Sequence, residues 1–119
     1  IMRALAPLGV ACGKQDGTWT KMTKPWPADI DEWPQHLYDA GNNAVAHDSV
    51  VGPPRRYQWT STPELSRAHL VLPSIQGLVA AKGRLFTIED QASIEHPALP
   101  GKFTLVERDA FNGSVLWQR

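Results

Sequence analysis

The clearest pattern of hydrophobic and polar positions lies at the C-terminal end of the chain, over residues 76–119. Short runs of β-forming residues alternate there with turn residues, which is typical of hairpin-connected strands. The loops between them are Lys82-Gly83, a polar stretch over residues 90–102 and a turn over residues 109–113 that contains Asn-Gly. Four strands joined in this way make an antiparallel meander. The predicted strands are Gly77–Ala81, Arg84–Glu89, Phe103–Arg108 and Ser114–Gln118.

The preceding region, residues 25–75, is interrupted by prolines. Proline lacks a backbone donor, so long helices and central strands are excluded there. The pattern allows at most one short helix, over residues 28–39, with Asp29 or Asp31 as its cap and Trp33, His36 and Leu37 on one face. It also predicts a short strand over residues 56–60. The aromatic residues indicate an ordered connector rather than a solvated linker. They are Trp26, Trp33, Tyr38, Tyr57 and Trp59.

Residues 1–24 form a third region, read as a short hairpin or as the end of a preceding domain. The hairpin is predicted around Asp16-Gly17, since this pair favours the left-handed turn that tight hairpins require. A competing interpretation is a truncated lipoprotein signal, with Arg3 as its basic end and Cys12 as the lipidated residue. Its apolar part is short and contains Pro7.

Composition narrows the class of protein. Lys+Arg and Asp+Glu balance at 12 each among 119 residues, so no net charge favours nucleic acid or an anionic membrane as partner. No apolar run approaches the roughly 20 residues that span a bilayer. The single cysteine excludes an internal disulfide. Ten prolines and five tryptophans favour loop-rich β structure with large aromatic anchors.

The last hairpin carries three residues at fixed spacing, Asp109, Gly113 and Trp117, with Asn112 before the glycine. An aspartate can accept hydrogen bonds from turn amides, a glycine permits a left-handed turn, and a tryptophan can pack between sheets. This hairpin resembles the repeat Ala-x-Asp-x-x-Thr-Gly-x-x-x-Trp that ends each blade of quinoprotein-type β-propellers, named after pyrroloquinoline quinone (PQQ). Glu107 stands where that family prefers alanine, a departure that affects the usual docking of the tryptophan.

A wider resemblance covers residues 24–119 and points to large bacterial PQQ-like β-propeller repeat proteins of planctomycete type. It implies a propeller fold and an extracytoplasmic, periplasmic location. It does not imply bound PQQ, because many propellers of this repeat type bind no cofactor and serve as scaffolds. Residues 2–12 faintly resemble the end of a methyltransferase-like domain that precedes the connector in some of these proteins. The similar segments are Lys24–Pro27, Asp31–Trp33, Tyr38–Val45, Asp48–Arg55 and Arg108–Gly113.

The most suggestive polar residues for chemistry are His47 and Asp48, followed by Arg55 and Arg56. An imidazole beside a carboxylate can be oriented for base catalysis, and paired arginines can hold an anion. The competing interpretation is a connector whose polar side chains satisfy loop backbone groups and face solvent. Ser66 and His69 lie close in sequence, without the glycine-flanked turn of a serine hydrolase. We therefore predict no catalytic residue.

No metal site is predicted from the histidines, which lack the short spacing of zinc ligands. They are His36, His47, His69 and His96. Asp29, Asp31 and Glu32 could bind Ca²⁺, but charge at the start of a helix explains them more simply. No cofactor is predicted for the leading interpretation.

A single blade cannot bury both faces of its sheet, so the chain is expected to need other blades or self-association. The leading hypothesis is a non-catalytic structural or binding segment that contributes one blade to a protein- or ligand-binding scaffold. The alternative is a segment of a quinoprotein oxidoreductase, in which PQQ with Ca²⁺ accepts a hydride from an alcohol or sugar. A second fold remains open, a compact β-rich domain in which the connector covers one face of the meander.

Overall fold

The computed structural model of the protein describes residues 1–61, 75–92, 98 and 100–119. It divides the chain into two compact units. One comprises Ile1–Ile30 and Asp48–Val51, and the other comprises Asp31–His47 and Gly52–Arg119. The described residues form strands and turns and include no helix.

The first unit contains a two-stranded antiparallel hairpin, β1 (Val10–Gln15) and β2 (Thr18–Thr23). Its turn is Asp16-Gly17, with φ of 48° and 82°. Two successive left-handed residues give a turn whose twist matches that of the strands, so the hairpin predicted at this pair is confirmed. The strands expose most of their side chains, including Trp19, whose ring lies 5.9 Å from the ammonium of Lys14.

The second unit contains a four-stranded antiparallel sheet in the order β3-β4-β5-β6. This confirms the predicted mainly β fold with an antiparallel meander. The turn between β3 and β4 is Lys82-Gly83, with φ of 49° and 73°. Strand β3 has a register irregularity between Ile75 and Gly77, and it begins two residues earlier than predicted. The strands are β3 (Ile75–Ala81), β4 (Arg84–Asp90), β5 (Phe103–Asp109) and β6 (Val115–Gln118).

The register gives the sheet two unlike faces, because residues directly opposite one another point to the same side. One, the covered face, carries Thr87, Glu89, Val106 and Arg108, all buried, and Val106 is 0% exposed. The other, the open face, carries accessible apolar side chains together with the charged residues Arg84 and Glu107. Its apolar residues include Phe86, Ile88, Phe103, Leu105 and Trp117.

The helix that the pattern allowed over residues 28–39 does not form. Trp33 instead makes an extended bridge with Ala80, donating to its carbonyl at 2.9 Å and accepting from its amide at 2.7 Å. Tyr38 adopts a φ of 73°, in the left-handed region that a helix cannot contain. Pairing with the edge of a sheet therefore outweighs the weak local preference for a helix.

The strand predicted over residues 56–60 is also wrong, since this segment forms no ladder in the described part of the chain. Its side chains form hydrogen bonds to the sheet's last turn instead. Gln58 and Trp59 each donate to a carbonyl of the turn between β5 and β6. Aromatic and β-branched content alone does not show whether a segment pairs through its backbone or its side chains.

Candidate functional site

The turn that carries the repeat motif is closed by Asp109. Its Oδ1 accepts hydrogen bonds from the amides of Phe111 at 2.8 Å and Asn112 at 3.2 Å. Its backbone carbonyl accepts from the amide of Gly113 at 2.9 Å, and Gly113 has a φ of 74°. The predicted roles of Asp109 and Gly113 within the turn are therefore confirmed.

A side chain from the connector seats against this turn. The indole Nε1 of Trp59 donates to the carbonyl of Ala110 at 2.9 Å, and Gln58 Nε2 donates to the carbonyl of Phe111 at 2.8 Å. A Cβ atom on Gly113 would overlap the Trp59 ring. Gly113 thus serves two purposes, left-handed backbone geometry and close approach of the indole. The sequence pattern predicts the left-handed turn at Gly113 but not the contact of this glycine with Trp59.

An ion pair lies under the connector on the covered face. Arg108 Nη2 is 3.3 Å from Glu89 Oε2, and the two side chains are 5% and 6% exposed. Thr87 Oγ1 donates to Glu89 Oε1 at 2.7 Å, and Arg108 Nη1 donates to Ser61 Oγ at 2.6 Å. A buried ion pair is tolerated only when further hydrogen bonds satisfy its remaining atoms, as these do. The ion pair is therefore nearly excluded from solvent and held by its own hydrogen-bond partners.

Sequence reasoning missed this pair, although a signal for it exists. Alternation along predicted strands gives the side chains of β4 and β5 two faces each. Given the register, Glu89 and Arg108 point to the same face as the Thr87–Val106 pair. Glu89 lies two residues beyond Thr87 along β4, and Arg108 lies two residues beyond Val106 along β5. The register itself, and the position of Ser61, do not follow from alternation.

The exposed polar residues of the second unit centre on Tyr38. Its hydroxyl lies 2.5 Å from Asp31 Oδ2 and 3.0 Å from His47 Nδ1, and the same Oδ2 accepts from the backbone amide of His47 at 2.6 Å. The Trp33 and Tyr38 rings are 5.5 Å apart at 60°, and those of Tyr38 and His47 are 5.0 Å apart at 86°. We call Asp31, Tyr38 and His47 the Tyr38 cluster.

The hydrogen bonds of this cluster set its protonation. Donation from Tyr38 to the Asp31 carboxylate raises the pKa of Tyr38 to about 12. The same bond, followed by those from the amides of His47 and Glu32, lowers the pKa of Asp31. A phenol has one proton, so Tyr38 must accept from His47, and His47 Nδ1 carries a hydrogen. In neutral His47 the lone pair is then on Nε2.

The predicted polar residues His47, Asp48, Arg55 and Arg56 are divided between the two units, with Asp48 in the first and the others in the second. The carboxylate associated with His47 is that of Asp31, sixteen residues away in sequence. Asp48 lies in the first unit, where its Oδ1 accepts from the amide of Val51 at 2.7 Å. Arg55 and Arg56 are exposed, and neither forms an ion pair with another described residue.

Of the acidic residues considered for Ca²⁺, Asp31 and Glu32 have carboxylate oxygens that accept hydrogen bonds from protein groups. Both carboxylate oxygens of Asp31 accept hydrogen bonds, and Glu32 Oε1 accepts from the amide of Lys82 at 2.7 Å. Within the described ranges, His, Cys, Asp and Glu form no group of three or more suited to a metal ion. Ser66, His69 and His96 lie outside the described residues.

Trp117, the last motif residue, lies opposite Glu107 on the open face. Its ring is 6.4 Å from that of Phe86, and it is 39% exposed. Glu107, which replaces the family's alanine, pairs with Arg84 at 3.3 Å. Glu107 lies between Phe86 on β4 and Trp117 on β6, directly opposite both. The Arg84 guanidinium on the same face pairs with its carboxylate.

A scan of the sequence against protein-family models found no matching family, and searches among curated proteins and among solved structures found no match either. The resemblance to PQQ-type repeats therefore stays a prediction. Across the described ranges, no helix is long and apolar enough to cross a membrane.

Proposed function

We propose that this chain is a non-catalytic structural segment that contributes one blade to a PQQ-like repeat β-propeller scaffold. The observation that carries the proposal is the contrast between the faces of the four-stranded sheet. The covered face is closed by its own buried polar residues and by the connector side chains Trp59 and Ser61. The open face exposes a set of neighbouring apolar side chains, and we propose that a neighbouring four-stranded sheet of the same kind packs on it.

The open face has the chemistry that such packing requires. Ile88 and Leu105 lie directly opposite one another, 43% and 40% exposed, and Phe103 is 52% exposed. Adjacent apolar side chains of this size form a surface, not isolated exposed residues. Burial of apolar surface contributes about 25 cal/mol per Å², so covering these side chains would stabilise the assembled state.

The motif residues also support packing of a neighbouring blade on the open face. Asp109 and Gly113 close the last hairpin, and its strand β6 then presents Trp117 on the open face beside Phe86. A half-exposed tryptophan offers a large rigid surface to a facing sheet. A neighbouring blade would cover Trp117 together with Ile88 and Leu105.

Sedimentation velocity over a range of concentrations tests this proposal on the chain. We expect self-association through the open face when no other sheet is present to cover it. The variant Ile88→Lys/Leu105→Lys places two cations there and should shift the protein to monomer. Tyr57→Lys is the matched control, because Tyr57 is 89% exposed but lies off the sheet.

The proposal fails if the chain is monomeric at all concentrations and binds no more of a hydrophobic dye than the double variant. It also fails if Tyr57→Lys disperses the oligomer as well as the double variant does. Equal circular dichroism spectra of the three proteins would show that the fold is retained. Crosslinking between Trp117 of one sheet and Ile88 of the facing sheet would then distinguish packing of the propeller type from unrelated self-association.

A further inference from the structure

The ion pair on the open face uses only part of the bonding capacity of its two members. Arg84 Nη1 lies 3.3 Å from Glu107 Oε1, and the two side chains are 48% and 13% exposed. Among the described residues, this is the one polar contact of either side chain. A guanidinium has five N–H donors and a carboxylate has two acceptor oxygens. Glu107 Oε2 and most N–H groups of Arg84 are therefore available to a second partner.

The surroundings of Glu107 determine what can cover it. Its carboxylate lies between Phe86 and Trp117, directly opposite both. When a sheet covers the open face, this carboxylate loses the water that now reaches it, and a buried charge requires compensating bonds. A covering surface that is purely apolar is therefore disfavoured over Glu107, whereas one that brings a second cation is favoured.

The strand order and register define how a like sheet can pack there. Strands β4 and β5 are the two central strands, and Ile88 lies directly opposite Leu105. A two-fold axis that runs along the strands, between β4 and β5, brings the whole of two open faces together. It places Ile88 of each copy over Leu105 of the other, at the spacing of about 10 Å at which sheets stack.

The same axis brings the charges of the two copies together. Strand β4 of one copy lies over β5 of the other, so Arg84 faces the strand that carries Glu107 of the other copy. The offset along the strands is two residues, which Arg84 already spans to Glu107 of its own chain. A two-fold axis across the strands would instead place Glu107 over Leu105 of the other copy, which offers no cation. Charge complementarity therefore favours the axis along the strands.

We propose that a second copy of this chain packs on the open face about this axis, with Arg84 of each copy bonded to Glu107 of the other. The two ion pairs then form a ring of alternating charges at the interface. A two-fold interface must be self-complementary, and a cation beside an anion on one face meets that condition. This pairing rests on the proposed function, in which a like sheet covers the open face, and it adds the identity and orientation of that sheet.

Charge reversal tests this pairing by sedimentation velocity on the whole chain. Arg84→Glu gives each copy two carboxylates at the contact, and Glu107→Arg gives each copy two guanidinium groups. We expect either variant alone to raise the dimer dissociation constant by at least about a hundredfold, because like charges then oppose one another across the interface. An equimolar mixture of the two variants should form a heterodimer with an affinity within about tenfold of that of the unmodified dimer.

Control variants separate this pairing from a general effect of charge. Tyr57→Glu and Tyr57→Arg carry charges of the same signs at an exposed residue off the sheet, and each should dimerise as the unmodified chain does. The double variant Arg84→Glu/Glu107→Arg should restore the homodimer. If a single charge-reversal variant does not fold, Arg84→Lys decides the question. A carbodiimide should then join the amine at position 84 to Glu107 between isotope-labelled and unlabelled copies.

A mixture that stays monomeric overturns the pairing, as does a charge-reversal variant that dimerises as tightly as the unmodified chain. Crosslinks that form only within one copy overturn it as well. In these cases the blade proposal still stands if Ile88→Lys/Leu105→Lys disperses the assembly. An unmodified chain that is monomeric up to about 1 mM also overturns the pairing, and its binding of a hydrophobic dye then decides the blade proposal separately.

Discussion

The two faces of the four-stranded sheet hold a similar pair of charges in different surroundings. On the covered face, Arg108 and Glu89 form an ion pair that is nearly excluded from solvent, whereas on the open face Arg84 pairs with Glu107 while 48% exposed. Both nitrogen–oxygen distances are 3.3 Å. Distance alone therefore does not reveal what a pair contributes. The surroundings do, since a buried charge that loses its partner cannot be rehydrated.

Breaking the Arg108–Glu89 ion pair on the covered face should cause the largest loss of stability. Arg108→Ala leaves Glu89 buried without its cation, and we expect the free energy of unfolding to fall by about 3 to 5 kcal/mol. Chemical denaturation followed by circular dichroism measures it. The double variant Glu89→Leu/Arg108→Met removes both charges and should recover most of the loss. A loss below about 1 kcal/mol would mean that water reaches the covered face.

Disturbing the contact between Gly113 and the Trp59 ring should cause the next largest loss of stability. Gly113→Ala forces a left-handed alanine and drives its Cβ into the Trp59 ring, so we expect a loss of about 2 to 4 kcal/mol. In a Trp59→Leu background the overlap is relieved, and only the backbone part of about 1 to 2 kcal/mol should remain. Additive effects of the two substitutions in a double-mutant cycle would show that Trp59 does not seat on Gly113.

The pair on the open face should matter little in the isolated chain. Arg84→Ala removes a partly exposed ion pair, and we expect a loss between about 0 and 1 kcal/mol, smaller at high salt. The comparison between Arg84→Ala and Arg108→Ala is the direct test of the contrast between faces. If both variants lose the same stability, the open face is covered in solution.

The Tyr38 cluster belongs to neither face and gives a spectroscopic reference for an exposed set of hydrogen bonds. Because donation to Asp31 raises the pKa of Tyr38 to about 12, a phenolate absorbance change should appear near pH 12 and be absent in Tyr38→Phe. Asp31→Asn should move that change to lower pH. The lowered pKa of Asp31 means that its contribution to stability is present above pH 3.8 and is lost as the pH falls through the lowered value. The contribution of Tyr38 is present below pH 10 and is lost as the pH rises through about 12. A phenolate change that is identical in Asp31→Asn would contradict this bond.

Local signals in the sequence determined the hairpins of this protein. Asp16-Gly17 and Lys82-Gly83 each form a turn with two left-handed residues, and the Asp109–Gly113 turn is closed by its own aspartate. These features could be predicted because the conformational preference of a residue and the bonds to its near neighbours decide them. The strands between the turns follow from the same signals with errors of one or two residues.

Only the tertiary structure decided where distant residues meet. Trp59 reaches Ala110, Trp33 reaches Ala80, and the carboxylate beside His47 comes from Asp31 rather than from adjacent Asp48. A helix allowed over residues 28–39 was lost for the same reason, since pairing with β3 satisfied the backbone of Trp33 instead. Such contacts depend on strand register and on the path of the connector. Both are set by burial and hydrogen bonding summed over the whole unit, which no short stretch of sequence contains.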